Sequence, residues 1–358
     1  NSAHVTPLLH YNIQTQHAMT TAVPLIYSFP EFSGVAEAVA DLIITAQNSA
    51  LSKTHTLTTT DTDDHNSPIL SPPHRSLSLS NTSICTAMSD KDKEKEKRNI
   101  PDDGTPHSTA INTSQSVSSQ IRKKKKENNK RFKIGISGGS LLNVLHEGLL
   151  DRSDIHWDKW DIYFADERLV PASSPESNYG QAKAKLFDKI DPENPHGLPN
   201  VYPINFSLVD DPQECADDYE KTLIKGFASK DSVKLPMFDL ILLGCAPDGH
   251  VASLFPNHET LRENYAWCVP VETAPVGPRK RISLSVPVIC HSHMVAFVVE
   301  GATKAPVLRT IMERPDKGLP ASIINEKAAG RIAWFVDDEA ISDVVGITKK
   351  RYKFTATK

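Results

Sequence analysis

The chain has 358 residues, with 40 Lys and Arg against 44 Asp and Glu, a formal net charge of −4. That balance excludes electrostatic binding of nucleic acid or an anionic membrane as the main activity, so any cationic site must be local. At 39% apolar and 23% charged residues the average is that of a globular protein, yet 25 Pro and an uneven spread of aromatics show that it mixes two populations.

In chain order, residues 1–18 read as a polar extension. They hold His4, His10 and His17, and no basic segment leads into an apolar stretch as a secretory signal requires. Residues 25–29 read as the first strand, and Phe32, Val35, Val39, Leu42 and Ile43 then recur at helical spacing. Residues 52–130 contain 24 Ser or Thr, no Phe, Trp or Tyr, and the charge runs DKDKEKEKR and RKKKK. Such a stretch cannot bury enough apolar area to offset backbone ordering at roughly 1–2 kcal/mol per residue. It reads as a disordered insertion between helix and strand, a tolerable excursion because loop closure entropy grows only logarithmically with length.

Further strands are expected at 132–137, 160–165, 201–204, 238–243, 266–269, 282–286, 295–299 and 331–336, with helices at 141–150, 178–190, 212–227, 303–312 and 337–345. The alternation predicts an α/β fold with a largely parallel sheet flanked by helices, in one domain built from 19–51 and 131–346. Residues 347–358 read as a basic tail. No apolar run approaches the roughly 18 residues of a membrane-spanning helix. The cysteines, Cys85, Cys215, Cys245, Cys268 and Cys290, are odd in number and lack CxxC spacing, which disfavours disulfides or structural zinc and fits a reducing cytoplasm.

Three stretches carry candidate chemistry. In IGISGGS, a strand runs through Ser137 into Gly138, Gly139 and Ser140 ahead of a helix, where backbone N–H groups and the helix dipole favour phosphate. The same residues also suit an ordinary tight βα turn, and neither GxGxxG nor a Walker A sequence is present, so nucleotide binding is not implied. WDIYFADERLV ends a strand in Asp166, Glu167 and Arg168, at the ligand-binding end of a parallel sheet, where Arg168 suits a phosphate; three adjacent charges also suit a solvated loop after a strand. FDLILLGCAPDGHVASLFP ends an apolar strand in a turn carrying Asp248 and His250, with 251–255 expected to begin a helix. There an imidazole of ordinary pKa near 6.5 can accept a proton from water. Asp248 suits orientation of that imidazole, contact with substrate, or the capping of turn N–H groups, and Cys245 reads as a small core residue. Arg281 and Lys304 stand beside strands with their charges available to an anion. His291 and His293 lack further ligands at suitable spacing, so no metal site is expected.

Taken together, ISGGS, FADERLVP with SNYG, LLGCAPDGHVASLFP, RISLSVPV and VEGATKAPVL resemble the ordered motif series of the 6-phosphogluconolactonases. The resemblance covers about 25–51 and 132–345. It implies a fold related to glucosamine-6-phosphate deaminase and ribose-5-phosphate isomerase, acting in the oxidative pentose phosphate pathway without metal or coenzyme. By that resemblance His250 is the catalytic base, with Asp248 beside it. Arg168, Arg281 and Lys304 hold the phosphate with the Gly138, Gly139 and Ser140 loop, and Asp166 joins the substrate-binding set. Two departures stand out: Val251 follows DGH where Thr is frequent, and PVGPRKR makes Arg279 and Lys280 competitors for Arg281. The expected partner is a small sugar-phosphate lactone, with no nucleic acid and no membrane. The alternatives are a sugar-phosphate isomerase or deaminase on the same scaffold, disfavoured because Leu254, Phe255 and Pro256 replace an NEP-type sequence, and a sugar-phosphate-binding regulatory protein without turnover.

Overall fold

Runs without a polar side chain, such as LILL and VAFVV, suit strands covered on both faces, and they occupy the middle of the sheet. The computed structural model describes residues 24–52, 130–228 and 235–355. Its main sheet contains β1 (Leu25–Phe29), β2 (Phe132–Ile136), β3 (Trp160–Phe164), β5 (Asn200–Tyr202), β6 (Leu240–Leu243), β9 (Val295–Val299), β10 (Ile332–Asp337) and β11 (Lys349–Lys350). The order is β11-β1-β10-β9-β6-β2-β3-β5, with every adjacent pair parallel. A smaller antiparallel sheet joins β4 (Asp166–Arg168), β8 (Arg281–Leu284) and β7 (Cys268–Val271).

Strand periodicity divides the core in two. Leu240 and Leu242 pack in one cluster with α1 (Phe32–Ser52), α2 (Leu141–Leu149) and α3 (Asn178–Lys185). Ile241 and Leu243 enter the other, with α4 (Pro212–Phe227), α5 (Val286–His291), α6 (Ala305–Glu313) and α7 (Pro320–Lys327). The result is the expected largely parallel sheet flanked by helices. Local chemistry sets the boundaries: Asp211 Oδ1 accepts the Glu214 N–H at 3.0 Å with Pro212 at the first turn of α4, and Ser177 Oγ accepts the Gly180 N–H at 3.0 Å at the start of α3.

Several expectations are corrected. Residues 337–345 form no helix. Asp337 ends β10, and its carboxylate accepts the N–H groups of Ala340 at 2.7 Å and Gly301 at 2.9 Å, a side-chain turn that competes with helix formation. Residues 251–255 also form no helix: Val251 and Leu254 exchange backbone hydrogen bonds of 3.2 and 2.9 Å around Ala252, whose φ of 52° is left-handed. In the stretch read as a basic tail, β11 pairs with β1 and the Tyr352 hydroxyl donates to Asp41 at 2.9 Å. β4, α5 and α7 appear where the sequence suggested a loop or nothing. Residues 1–18 and nearly all of 52–130 lie outside the described residues. Among the described residues, no helix is long and apolar enough to cross a membrane.

Candidate active site

β2 and β6 are neighbours from which the chain proceeds in opposite directions, β2 to β3 and β6 to β9. Crevices at the carboxyl ends of strands form at such a reversal, and a cavity of about 250 Å³ lies there. Ser137, Gly138, Gly139 and Ser140 line it after β2; Gly244, Cys245, Ala246, His250 and Ala252 after β6; Val298 and Val299 at the end of β9 and Glu300 just beyond it. Lys304, Asp166, Arg168 and Asn178 complete the wall. Of the expected site residues, only Asp248 and Arg281 are absent from it.

His250 is held by its own turn. Gly249 N–H donates to the Ala246 carbonyl at 2.9 Å, Ala246 N–H to the His250 carbonyl at 3.1 Å, and His250 N–H to Asp248 Oδ1 at 3.1 Å. The ring's Nδ1 lies 2.6 Å from the same carboxylate oxygen, and the ring packs 4.5 Å from Phe255. Asp248 is thus both an acceptor for its turn and a neighbour of the imidazole, two of the three roles the sequence left open. With Nδ1 so engaged, the Nδ1–H tautomer leaves Nε2 as the basic nitrogen. Burial holds the His250 pKa below its ordinary 6.5, against the opposing pull of Asp248, so the ring is neutral at neutral pH.

Arg168 brings a cation to the lining. Arg168 Nη1 donates to the Glu176 carbonyl at 2.9 Å and its Nε lies 3.9 Å from Asp166 Oδ2, while Nε itself is buried without a hydrogen-bond partner. Asp166 is fixed from behind by Ser253 Oγ at 2.7 Å. At Gly138 an added Cβ would lie 1.9 Å from Asn178 Oδ1, so only glycine lets this loop approach α3. Four buried polar atoms of the wall, Ser137 Oγ, Arg168 Nε, Asn178 Oδ1 and Glu300 Oε1, have no partner among the described residues. Buried polar groups are normally satisfied, and these four belong to residues that line the cavity.

Arg281 stands behind the wall: its Nε donates to the Pro278 carbonyl at 2.9 Å, Nη2 donates to the Val276 carbonyl, and its guanidinium lies 5.2 Å from the Phe255 ring. It backs the aromatic residue that packs on His250. Lys280 donates to the Asp210 carbonyl at 2.6 Å and Arg279 is exposed. Burial pushes the Cys245 thiol up to about 12, so it stays protonated. Sequence reasoning missed Glu300, whose carboxyl is raised to about 7 by burial and by Asp337 and Glu147. The available signal was its position between the end of β9 and Lys304. It also missed Asn178, although SNYG had marked the segment.

The family model described as "Glucosamine-6-phosphate isomerases/6-phosphogluconolactonase" matches residues 105–334. The chain belongs to that family. It is 60% identical over 337 residues to a protein of Saccharomyces cerevisiae named 6-phosphogluconolactonase-like protein 1, covering 94% of this chain and 98% of that one. A probable 6-phosphogluconolactonase of Schizosaccharomyces pombe is 44% identical over 217 residues, covering 60% and 83% of the two chains. Among solved structures, 6-phosphogluconolactonase from Trypanosoma cruzi superposes with a TM-score of 0.58 at 20% identity, covering 92% of this chain and all of that one, a likeness of fold.

Proposed function

We propose that the chain hydrolyses 6-phospho-D-glucono-1,5-lactone to 6-phosphogluconate in the oxidative pentose phosphate pathway. One observation carries this reading: an imidazole bonded to a carboxylate, His250 with Asp248, and two cations, Arg168 and Lys304, stand at the same cavity. Arg168, Lys304 and the N–H groups of Gly138 to Ser140 take the phosphate dianion, which fixes the ring with C1 toward His250. His250 removes a proton from water as the water oxygen attacks C1. The imidazolium, stabilised by Asp248, then protonates the ring oxygen as the C1–O bond breaks. Backbone N–H groups of the Gly244–Gly249 turn stabilise the developing oxyanion. A lactone is already activated, so the scheme invokes neither a coenzyme nor a covalent intermediate. A cytoplasmic setting belongs to the same reading and is supported by four buried free thiols, Cys215, Cys245, Cys268 and Cys290.

The relative sharing 60% of its residues carries a lactonase-like name, which favours a second reading: a protein that binds the sugar phosphate without turning it over. Both are tested with freshly generated lactone in an assay coupled to 6-phosphogluconate oxidation, alongside binding of 6-phosphogluconate. Under the first reading the wild type turns over, and His250→Asn keeps its fold and ligand binding but loses roughly 10²–10⁴ in rate. Binding without turnover in the wild type selects the second reading, and near-normal turnover in His250→Asn removes the mechanism.

A further inference from the structure

The cavity lies at the carboxyl ends of the parallel strands. At their amino ends, the segments leading into β3 and β5 bring together three side chains that the hydrolysis does not use: His156, Asp158 and His196. One ligand atom from each lies within 4.8 Å of the other two, and the imidazole centroids are 4.5 Å apart at an interplanar angle of 67°. We propose that these residues form a binding site for a divalent transition metal, with zinc the fitting ion.

Backbone contacts hold the ligands in place before any ion binds. The Asp158 N–H donates to the His196 carbonyl at 2.6 Å, joining the two segments directly. Asn194 Oδ1 accepts the His196 N–H at 2.8 Å, and the Asn194 carbonyl accepts the Gly197 N–H at 2.8 Å. Gly197 has φ of 63°, a left-handed conformation that turns the loop back over Asp158. On the other side, the His156 N–H donates to Gln47 Oε1 at 2.9 Å, which also accepts the indole N–H of Trp160 at 2.7 Å. A metal therefore needs to order only three side-chain ends.

The donor set selects the ion. Two imidazoles and one carboxylate suit zinc, with a water in the fourth position, whereas calcium and magnesium demand oxygen ligands. Ligands at roughly 2.0–2.1 Å from a tetrahedral ion stand about 3.3 Å apart, so the side chains must close by up to about 1.5 Å from separations within 4.8 Å. All three are partly exposed and can rotate to do so. Asp158 Oδ2 lies 3.3 Å from Lys159 Nζ, a pair exposed enough to be exchanged for a metal bond at small cost. Sequence spacing could not reveal this set, because its members come from separate segments that the β3–β5 pairing brings together.

The test uses the full chain, stripped with EDTA, dialysed, and titrated with zinc chloride against a chromophoric zinc chelator, with thermal unfolding followed in parallel. The expected result is one zinc per chain and a zinc-induced rise in Tm. His196→Ala and the near-isosteric Asp158→Asn should each weaken affinity by at least about tenfold and abolish the rise, while His250→Asn retains both. Asp158→Asn keeps the test valid if His196→Ala does not fold. Failure of the wild type to bind zinc overturns the proposal. So does undiminished affinity in a folded variant, or loss of binding in His250→Asn alone, which would place the ion in the cavity.

Discussion

Asp248 does two things to His250 that a substitution can separate. Its charge raises the imidazole pKa and its oxygen fixes Nδ1, while burial works in the other direction and wins. Asp248→Asn removes the raising influence, so the acid limb of the kcat–pH profile should move to lower pH. The maximal rate should fall because the imidazolium loses its partner, by no more than the roughly 10²–10⁴ that general base catalysis supplies. A pH–rate profile reads both, and an acid limb moving upward would contradict the assignment. Glu300 has the opposite linkage. Its folded pKa of about 7 stands above the ordinary 4.5, so its contribution to stability is complete below about pH 4.5 and is lost as pH rises through 7. Glu300→Gln should unfold at a higher Tm than the wild type at pH 8, with the gap shrinking as pH falls toward 4.5; partial exposure keeps the effect small. His250 was legible in the sequence because an apolar strand ends in a Gly-containing turn around it. Glu300 was not, since its unpartnered oxygen exists only once β9 closes beside β6. Arg281 lies outside the cavity lining with its guanidinium 5.2 Å from the Phe255 ring, a placement that a cation at the edge of a strand does not reveal in sequence.

β4 shows how one buried side chain can organise an element. Glu167 is 1% exposed, and its oxygens accept the N–H groups of Asn178 and Tyr179 at 2.7 Å and Arg168 at 2.8 Å, with the Ser177 hydroxyl at 3.3 Å. Burial raises its pKa to about 7 against those donors. It ties the first turn of α3 to β4, and so sets both Arg168 and Asn178 at the cavity. In Glu167→Gln an amide N–H₂ must face converging donors, leaving buried N–H groups unsatisfied at about 1–3 kcal/mol. Chemical denaturation should show a loss of that size, together with a raised KM. The apolar strands were readable from composition, whereas β4, with three charged residues in a row, was not: its place comes from antiparallel pairing with β8. Helix 337–345 failed for the converse reason, since a periodic pattern cannot show that Asp337 is already committed to two backbone N–H groups.

At the scale of the molecule, the residues flanking 53–129 meet: Lys130 Nζ donates to the Leu51 carbonyl at 3.4 Å. None of the cavity residues lies between them. Replacing 53–129 by a short Gly/Ser connector should leave kcat/KM within about twofold and should not lower the Tm, because the cost of joining two ends that already meet falls as the connection shortens. Loss of folding or of activity in the shortened chain would show that the segment is integral. Its Ser/Thr-rich, aromatic-free composition is what set it apart in the sequence, and the shortened chain is the test of that division. The contribution of β11 beside β1 was not legible there, because two lysines do not look like a strand until a neighbouring edge is there to receive them.

β1 is inserted between β10 and β11, and α1 packs into the same core cluster as α2. Residues 24–52 are thus held to the rest of the fold by two ladders and a helix face as well as by the peptide chain. A molecule nicked anywhere within 53–129 becomes, in effect, a heterodimer of a small and a large polypeptide. Its unfolding midpoint then depends on protein concentration, and a separately supplied 24–52 peptide would compete with the resident one for its place in the sheet.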